Sequence, residues 1–292
     1  MVATTLKMRI IMSDKMRNLV VRTLSGAVLL GIVLAAAYLG KYSYGALLFV
    51  IMVVGMAEFY RLAKATGSTP QIFVGLVTGV ALFVSLFIDF ACGDEPCSNK
   101  WISILQIYFL ALIPTSFIIE LFKVSQTPLR NIATTLMGVL YVALPMSLML
   151  LIPVLLTGGE WKPEAFLFYL FIVWANDVCA YLVGVSIGKH RMCERISPKK
   201  SWEGFFGGVI GALGMGILGA SVVDGDCGVW LGLAAVISLT GVLGDLVESM
   251  FKREAGIKDS GNILPGHGGM LDRFDALLIS SPYAFVYLLL VL

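Results

Sequence analysis

Nine apolar runs divide the 292-residue chain, at 23–40, 44–62, 71–89, 101–122, 132–156, 165–187, 204–223, 229–251 and 276–292. Each is close to the length an α-helix needs to cross a hydrocarbon layer of about 30 Å. The runs are continuous and lack the alternation of a membrane β-barrel, so helices are expected and strands are not. Composition agrees: 58% of the residues are hydrophobic and 14% charged, against about 45–50% and about 25% in soluble domains. A water-soluble chain of this size could not hide so much apolar surface. The expected fold is an all-α polytopic integral membrane protein with about nine transmembrane helices.

Basic residues set the orientation. With the N-terminus inside, cytoplasmic segments hold 18 of the 21 Lys and Arg, leaving only Lys41, Lys100 and Lys162 outside. That is the positive-inside pattern. The N-terminus is therefore expected in the cytoplasm and the C-terminus on the outer side. The organisation follows: a basic cytoplasmic segment at 1–22, a scaffold of five helices over 23–156, and four helices over 165–292. The long polar loops of this last part, 188–203 and 252–275, both face the cytoplasm, so chemistry is expected there, at a cell membrane. No removable signal peptide is expected, and Met8, Met12 and Met16 leave the start open. The net charge of +2 gives no sign of a nucleic-acid partner.

Several features have ordinary readings. Gly214, Gly216 and Gly219 satisfy G-x-G-x-x-G, but inside an apolar run with no preceding strand, so a dinucleotide role is not expected. Gly204, Gly208, Ala212, Gly216 and Ala220 recur every fourth residue, a stripe that lets another helix approach closely, either within one copy or in a dimer. The five Cys have no zinc spacing. Cys92 and Cys97 share a polar loop and could pair on an oxidising side, with unpaired thiols the default. Glu58 has Arg61 at i+3 as a simple partner.

Other residues resist such readings. Asn176 and Asp177 lie near the middle of a run, where an aspartate costs about 2.5–3.5 kcal/mol to insert. They are expected either to line a wet cavity or to pair between helices. Asp245, Glu248, Ser249 and Lys252 fall at i, i+3, i+4 and i+7, on one helix face. The loop from Lys258 to Asp275 holds a proline and four glycines, suited to turning backbone N–H groups towards phosphate. Asp245 and Asp272 are the leading candidate ligands for Mg²⁺, an oxygen-seeking ion; Asp177, Glu248 and Asp275 are further candidates. Lys199, Lys200, Lys252, Arg253, Lys258 and Arg273 would neutralise a polyphosphate in phosphoryl or nucleotidyl transfer.

The 27 positions from Ser249 to Asp275, including Lys258-Asp259 and Leu264-Pro265-Gly266-His267-Gly268-Gly269-Met270-Leu271-Asp272-Arg273-Phe274-Asp275, resemble the signature of the phosphatidate cytidylyltransferase (CDP-diacylglycerol synthase) family. Ser197-Pro198-Lys199-Lys200-Ser201-Trp202-Glu203-Gly204 and Trp174-Ala175-Asn176-Asp177 resemble its other recurring segments. The resemblance covers about 174–275. It implies a Mg²⁺-dependent reaction of CTP with phosphatidate, giving CDP-diacylglycerol and pyrophosphate, with a second cation as a further candidate. It also implies metal on Asp245 and Asp272, and catalytic roles for Lys252, Lys258 and His267. Substrate contacts would come from Ser197, Lys199, Lys200, Arg253, Gly268, Gly269, Arg273, Asn176 and Asp177. For His267, a phosphate contact and a turn cap both remain open. CTP would arrive from the cytoplasm and the lipid from the bilayer, in a homodimer like other members. A CTP-dependent lipid kinase of the dolichol type is the alternative, and a cation transporter or a scaffold explains less of the sequence.

Overall fold

The computed structural model describes residues 20, 21, 23–92, 99–261, 263 and 268–292. His267, Cys97 and nearly all of the basic segment 1–22 lie outside these residues. The described chain is almost wholly helical: α1 (Thr23–Tyr38), α2 (Lys41–Ala65), α3 (Ile72–Cys92), α4 (Asn99–Phe122), α5 (Pro128–Gly138), α6 (Leu144–Leu148), α7 (Ile152–Leu156), α8 (Pro163–Ile187), α9 (Trp202–Val223), α10 (Cys227–Glu254) and α11 (Leu271–Val291). Among the described residues, seven helical stretches are long and apolar enough to cross a membrane, and Thr23–Tyr38 and Leu110–Phe122 are shorter apolar helices. This is a polytopic all-α membrane protein. The nine expected runs appear as these seven spans and two shorter pieces.

One expectation needs correction. The loop 188–203 is not strand-free, because β1 (Arg191–Cys193) and β2 (Ser197–Ser201) pair as an antiparallel hairpin. Glu203 ties the hairpin to α9: its carboxylate accepts from the backbone N–H groups of Lys189 and His190 and lies 2.6 Å from His190 Nδ1. Ser201 then caps α9 by accepting from Gly204 N at 3.2 Å, satisfying one of the helix's open N–H groups.

The span over 132–156 is interrupted twice. A π-helical turn covers Val139–Ala143, and a turn separates α6 from α7. Pro145 and Pro153 lack the N–H groups that a continuous helix would send to Tyr141 O and Met149 O. Tyr44 of α2 takes over the second carbonyl, donating its hydroxyl to Met149 O at 2.6 Å. The proline breaks thus become a contact point for another helix.

At one end of the N-terminal half, Glu120 accepts from Asn131 Nδ2 at 2.6 Å and Gln71 Nε2 at 2.8 Å, while Asn131 Oδ1 accepts from Thr69 N. This buried network pins the α2–α3 and α4–α5 connections together. Cys92 is disulfide-bonded, against the default of unpaired thiols, whereas Cys179, Cys193 and Cys227 are free.

The small-residue stripe of α9 is buried within the protomer. A Cβ at Gly208 would fall 2.8 Å from Asn176 O on α8, and one at Gly216 would fall 2.9 Å from Trp230 O on α10. Backbones approach this closely only where side chains are missing. The stripe is used up by α8 and α10, so it provides no argument for a dimer. Gly214 and Gly219 sit in the same continuous helix, without a strand-to-helix turn.

Candidate active site

The site forms where the end of α10 meets the start of α11. Helical periodicity puts Asp245, Glu248 and Lys252 on one face of α10, and α11 presents Asp272 and Asp275 from its first turns. Gly244 allows the two helices to close: a Cβ there would lie 2.5 Å from Asp275 O and 3.1 Å from Ala276 Cα. At this closure, carboxylate oxygens of Asp245, Glu248 and Asp275 all lie within 4.8 Å of one another. We expect Gly244→Ala to force the helices apart here, with a loss of about 1–3 kcal/mol typical of overpacking. Thermal melting in detergent together with turnover measurements checks this, and turnover is expected to fall with stability.

Two lysines organise the carboxylates. Lys200, carried by β2, places Nζ 2.6 Å from Asp245 Oδ2 and donates to Val242 O at 3.2 Å. Lys252 bridges Glu248 Oε2 at 2.5 Å and Asp272 Oδ1 at 2.7 Å. The other oxygen of Asp272 accepts from Ser260 N, Ser260 Oγ and Gly269 N at 2.8–3.0 Å. Gly268 takes φ +86 beside it, a left-handed conformation that favours glycine.

A cavity of about 700 Å³ opens in front of this cluster. Of the residues singled out in the sequence, Asp177, Lys199, Lys200, Asp245, Lys252, Asp272, Arg273 and Asp275 line it, and Arg191, Ser201 and Asp259 join them. Glu248 lies behind Lys252, only 1% exposed, and its Oε1 has no hydrogen-bond partner. Ser197, Arg253, Lys258, Gly268 and Gly269 do not line the cavity; Arg253 and Lys258 are exposed. Asn176 is buried and turned away from the cavity, its Oδ1 beside Gly208 of α9. That oxygen makes no hydrogen bond, so the expected pairing between helices is not seen through it, and Asp177 alone of the two lines the cavity.

Glu58 also differs from expectation. Arg61 does not pair with it but donates to Ala57 O. Glu58 Oε2 instead accepts from Leu271 N at 2.9 Å and lies 3.4 Å from Ser260 Oγ. Its one visible signal in the sequence was an acid inside an apolar run; nothing local reveals a partner more than 200 residues away.

The group Asp245, Glu248 and Asp275 suits a hard divalent cation, since all its donors are carboxylate oxygens and one is a buried oxygen without a partner. Asp272, the other leading candidate, is already engaged by Lys252 and three donors from the loop. The cavity therefore joins an acidic cluster able to hold a cation to lysine and arginine side chains suited to phosphates.

A model of the cytidylyltransferase family matches residues 20–291. The chain belongs to this family. A phosphatidate cytidylyltransferase of Staphylococcus aureus (strain COL) is 38% identical over 220 residues, covering 74% of this chain and 79% of its own length. One from Staphylococcus haemolyticus (strain JCSC1435) is 34% identical over 275 residues, covering 92% and 98%. The family assignment thus extends across the N-terminal half, where the sequence showed only apolar helices. It is compatible with a cavity that brings metal-suited acids and basic side chains together inside a helical membrane protein.

Proposed function

We propose that this cytidylyltransferase transfers CMP from CTP to phosphatidate, giving CDP-diacylglycerol and pyrophosphate. One observation carries the reading: the matched family's chain folds so that Lys200, Lys252 and Arg273 share a cavity of about 700 Å³ with five aspartates, Asp177, Asp245, Asp259, Asp272 and Asp275. A phosphate oxygen of phosphatidate attacks the α-phosphorus of CTP. The bond from that phosphorus to the α,β-bridging oxygen breaks, and its electron pair leaves with pyrophosphate. Because the attacking phosphate is already anionic near neutral pH, no strong general base is required. The obstacle is bringing two anions together.

Basic side chains on the cavity wall lower that obstacle. Lys199, Lys200 and Arg273 would contact the phosphates, while Lys252 holds Asp272 and Glu248 in fixed relation. Asp245, Glu248 and Asp275 would hold Mg²⁺, with Asp272 and Asp177, which line the same cavity, as candidates for a second cation. The bound ion would supply charge neutralisation and orientation of the phosphates. The positive-inside bias supports a cytoplasm-facing site in a multi-pass cell-membrane protein, with CTP arriving from the cytoplasm and the acyl chains staying in the bilayer.

Transfer of label tests this directly. Purified enzyme, Mg²⁺ and phosphatidate are incubated with CTP labelled either in the cytosine or at the γ-phosphate. Cytosine label is expected in the lipid extract and γ-label in pyrophosphate. Transfer of γ-label to a lipid alcohol, with CDP accumulating, would instead establish a lipid kinase.

A further inference from the structure

Glu58 lies in α2, outside the half of the chain that carries the acids and lysines of the cavity, yet it reaches the base of their loop. It is fully buried, at 0% exposure. Its Oε2 accepts the N–H of Leu271, 213 residues away, at 2.9 Å. Leu271 opens α11, whose N-cap, Met270, makes no side-chain capping bond. The first N–H groups of a helix have no partner within it, and an anion there is favoured by the helix dipole. Glu58 therefore caps α11 from another helix.

The loop is built closely around this carboxylate. A Cβ at Gly261 would lie 2.4 Å from Glu58 Oε1, and one at Gly269 would lie 2.7 Å from Oε2. Both positions have room for glycine only. Ser260 stands between two carboxylates, its Oγ 3.0 Å from Asp272 Oδ2 and 3.4 Å from Glu58 Oε2. With one proton to give, it donates to the nearer, Asp272. Gly269 N also donates to Asp272 Oδ2, and Lys252 holds Oδ1. The chain of contacts thus runs from α2 through the start of α11 to Asp272, Lys252 and Glu248.

We propose that Glu58 is a positioning residue for the transfer reaction: through the Leu271 N–H and the packing of Gly261 and Gly269, it sets where α11 begins and hence where Asp272 and Asp275 point. The N-terminal half then takes part in setting the site and does more than fill the bilayer. This inference rests on the proposed cytidylyl transfer, and the test below separates the two.

Detergent-purified Glu58→Ala and Glu58→Gln are compared with wild type by thermal melting, kcat at saturating CTP and phosphatidate, and hydrogen exchange of peptides covering 268–276. The amide oxygen of glutamine can still accept the Leu271 N–H, whereas alanine cannot. We expect Glu58→Ala to lose at least about tenfold in kcat, since small misplacements at a reacting centre cost that much or more. Glu58→Gln should return to within about threefold of wild type. Exchange at 268–276 should speed up in the alanine variant and stay near wild type in the glutamine variant.

Folded Glu58→Ala with wild-type kcat per molecule would overturn the proposal and leave Glu58 as a fold staple. Equal loss in both variants would also overturn it, pointing to direct contact with substrate or cation. If Glu58→Ala is not recovered folded, Gly261→Ala carries the test, because its added Cβ displaces the Glu58 carboxylate; unchanged kcat there overturns the proposal. A wild-type enzyme that transfers no CMP would refute the reaction, while the exchange result would still report whether Glu58 fixes α11.

Discussion

Asp245→Asn should leave a folded membrane protein with almost no turnover. The side chain of Asp245 is 40% exposed and makes its ion pair with Lys200 at the cavity wall, so removing its charge costs little stability. Its oxygens, however, belong to the one three-carboxylate group among the described residues whose ligand atoms lie within 4.8 Å of one another. Replacing a charged ligand by an amide weakens the hold on a divalent ion and leaves the Lys200 charge uncompensated. We expect kcat/KM to fall about 10³-fold or more, equivalent to about 4 kcal/mol of lost transition-state stabilisation. Melting temperature in detergent should change little. Wild-type-like turnover in this variant would remove Asp245 from the metal assignment.

Asp272→Asn makes an instructive companion. Its side chain is only 6% exposed and answers to Lys252, Ser260 and Gly269 at once. Loss of activity should therefore come together with loss of stability, unlike the case of Asp245.

The second large effect is expected at Lys252, whose ammonium lies between Glu248 and Asp272 with 13% of its side chain exposed. Lys252→Met keeps most of the aliphatic stem and removes the charge. Two carboxylates, one of them 1% exposed, would then face each other and Asp275 without a cation. Breaking a buried pair by deleting one partner typically costs about 3–5 kcal/mol, because the remaining charge stays buried. We expect a melting temperature well below wild type and no measurable CMP transfer. If excess Mg²⁺ restored part of the melting temperature, the added cation would be replacing the lost ammonium. An unshifted melting curve would mean that the bridge does not hold the site together.

Much of this was visible before any tertiary contact was known. The apolar runs identified the helices, because a bilayer tolerates no unsatisfied backbone. The spacing of Asp245, Glu248 and Lys252 placed them on one face, because an α-helix repeats every 3.6 residues. The breaks in 132–156 lie within one continuous apolar run, where only Pro145 and Pro153 signal them. The hairpin at 191–201 leaves no trace in hydropathy, because its strands are only 3 and 5 residues long and mostly polar.

Sequence by itself determined which residues could do chemistry: periodicity, charge bias and residue type act over a few turns of one helix, and they selected the 245–275 segment. Only the tertiary structure decided how those residues are partnered. It put Asp275 beside Asp245 and Glu248, assigned Asp272 to Lys252, turned Asn176 into α9, and brought Glu58 to the start of α11. Distances between helices depend on how closely two backbones pack. Here that is set by glycines such as Gly208 and Gly244, whose effect appears only when the opposing helix is in place.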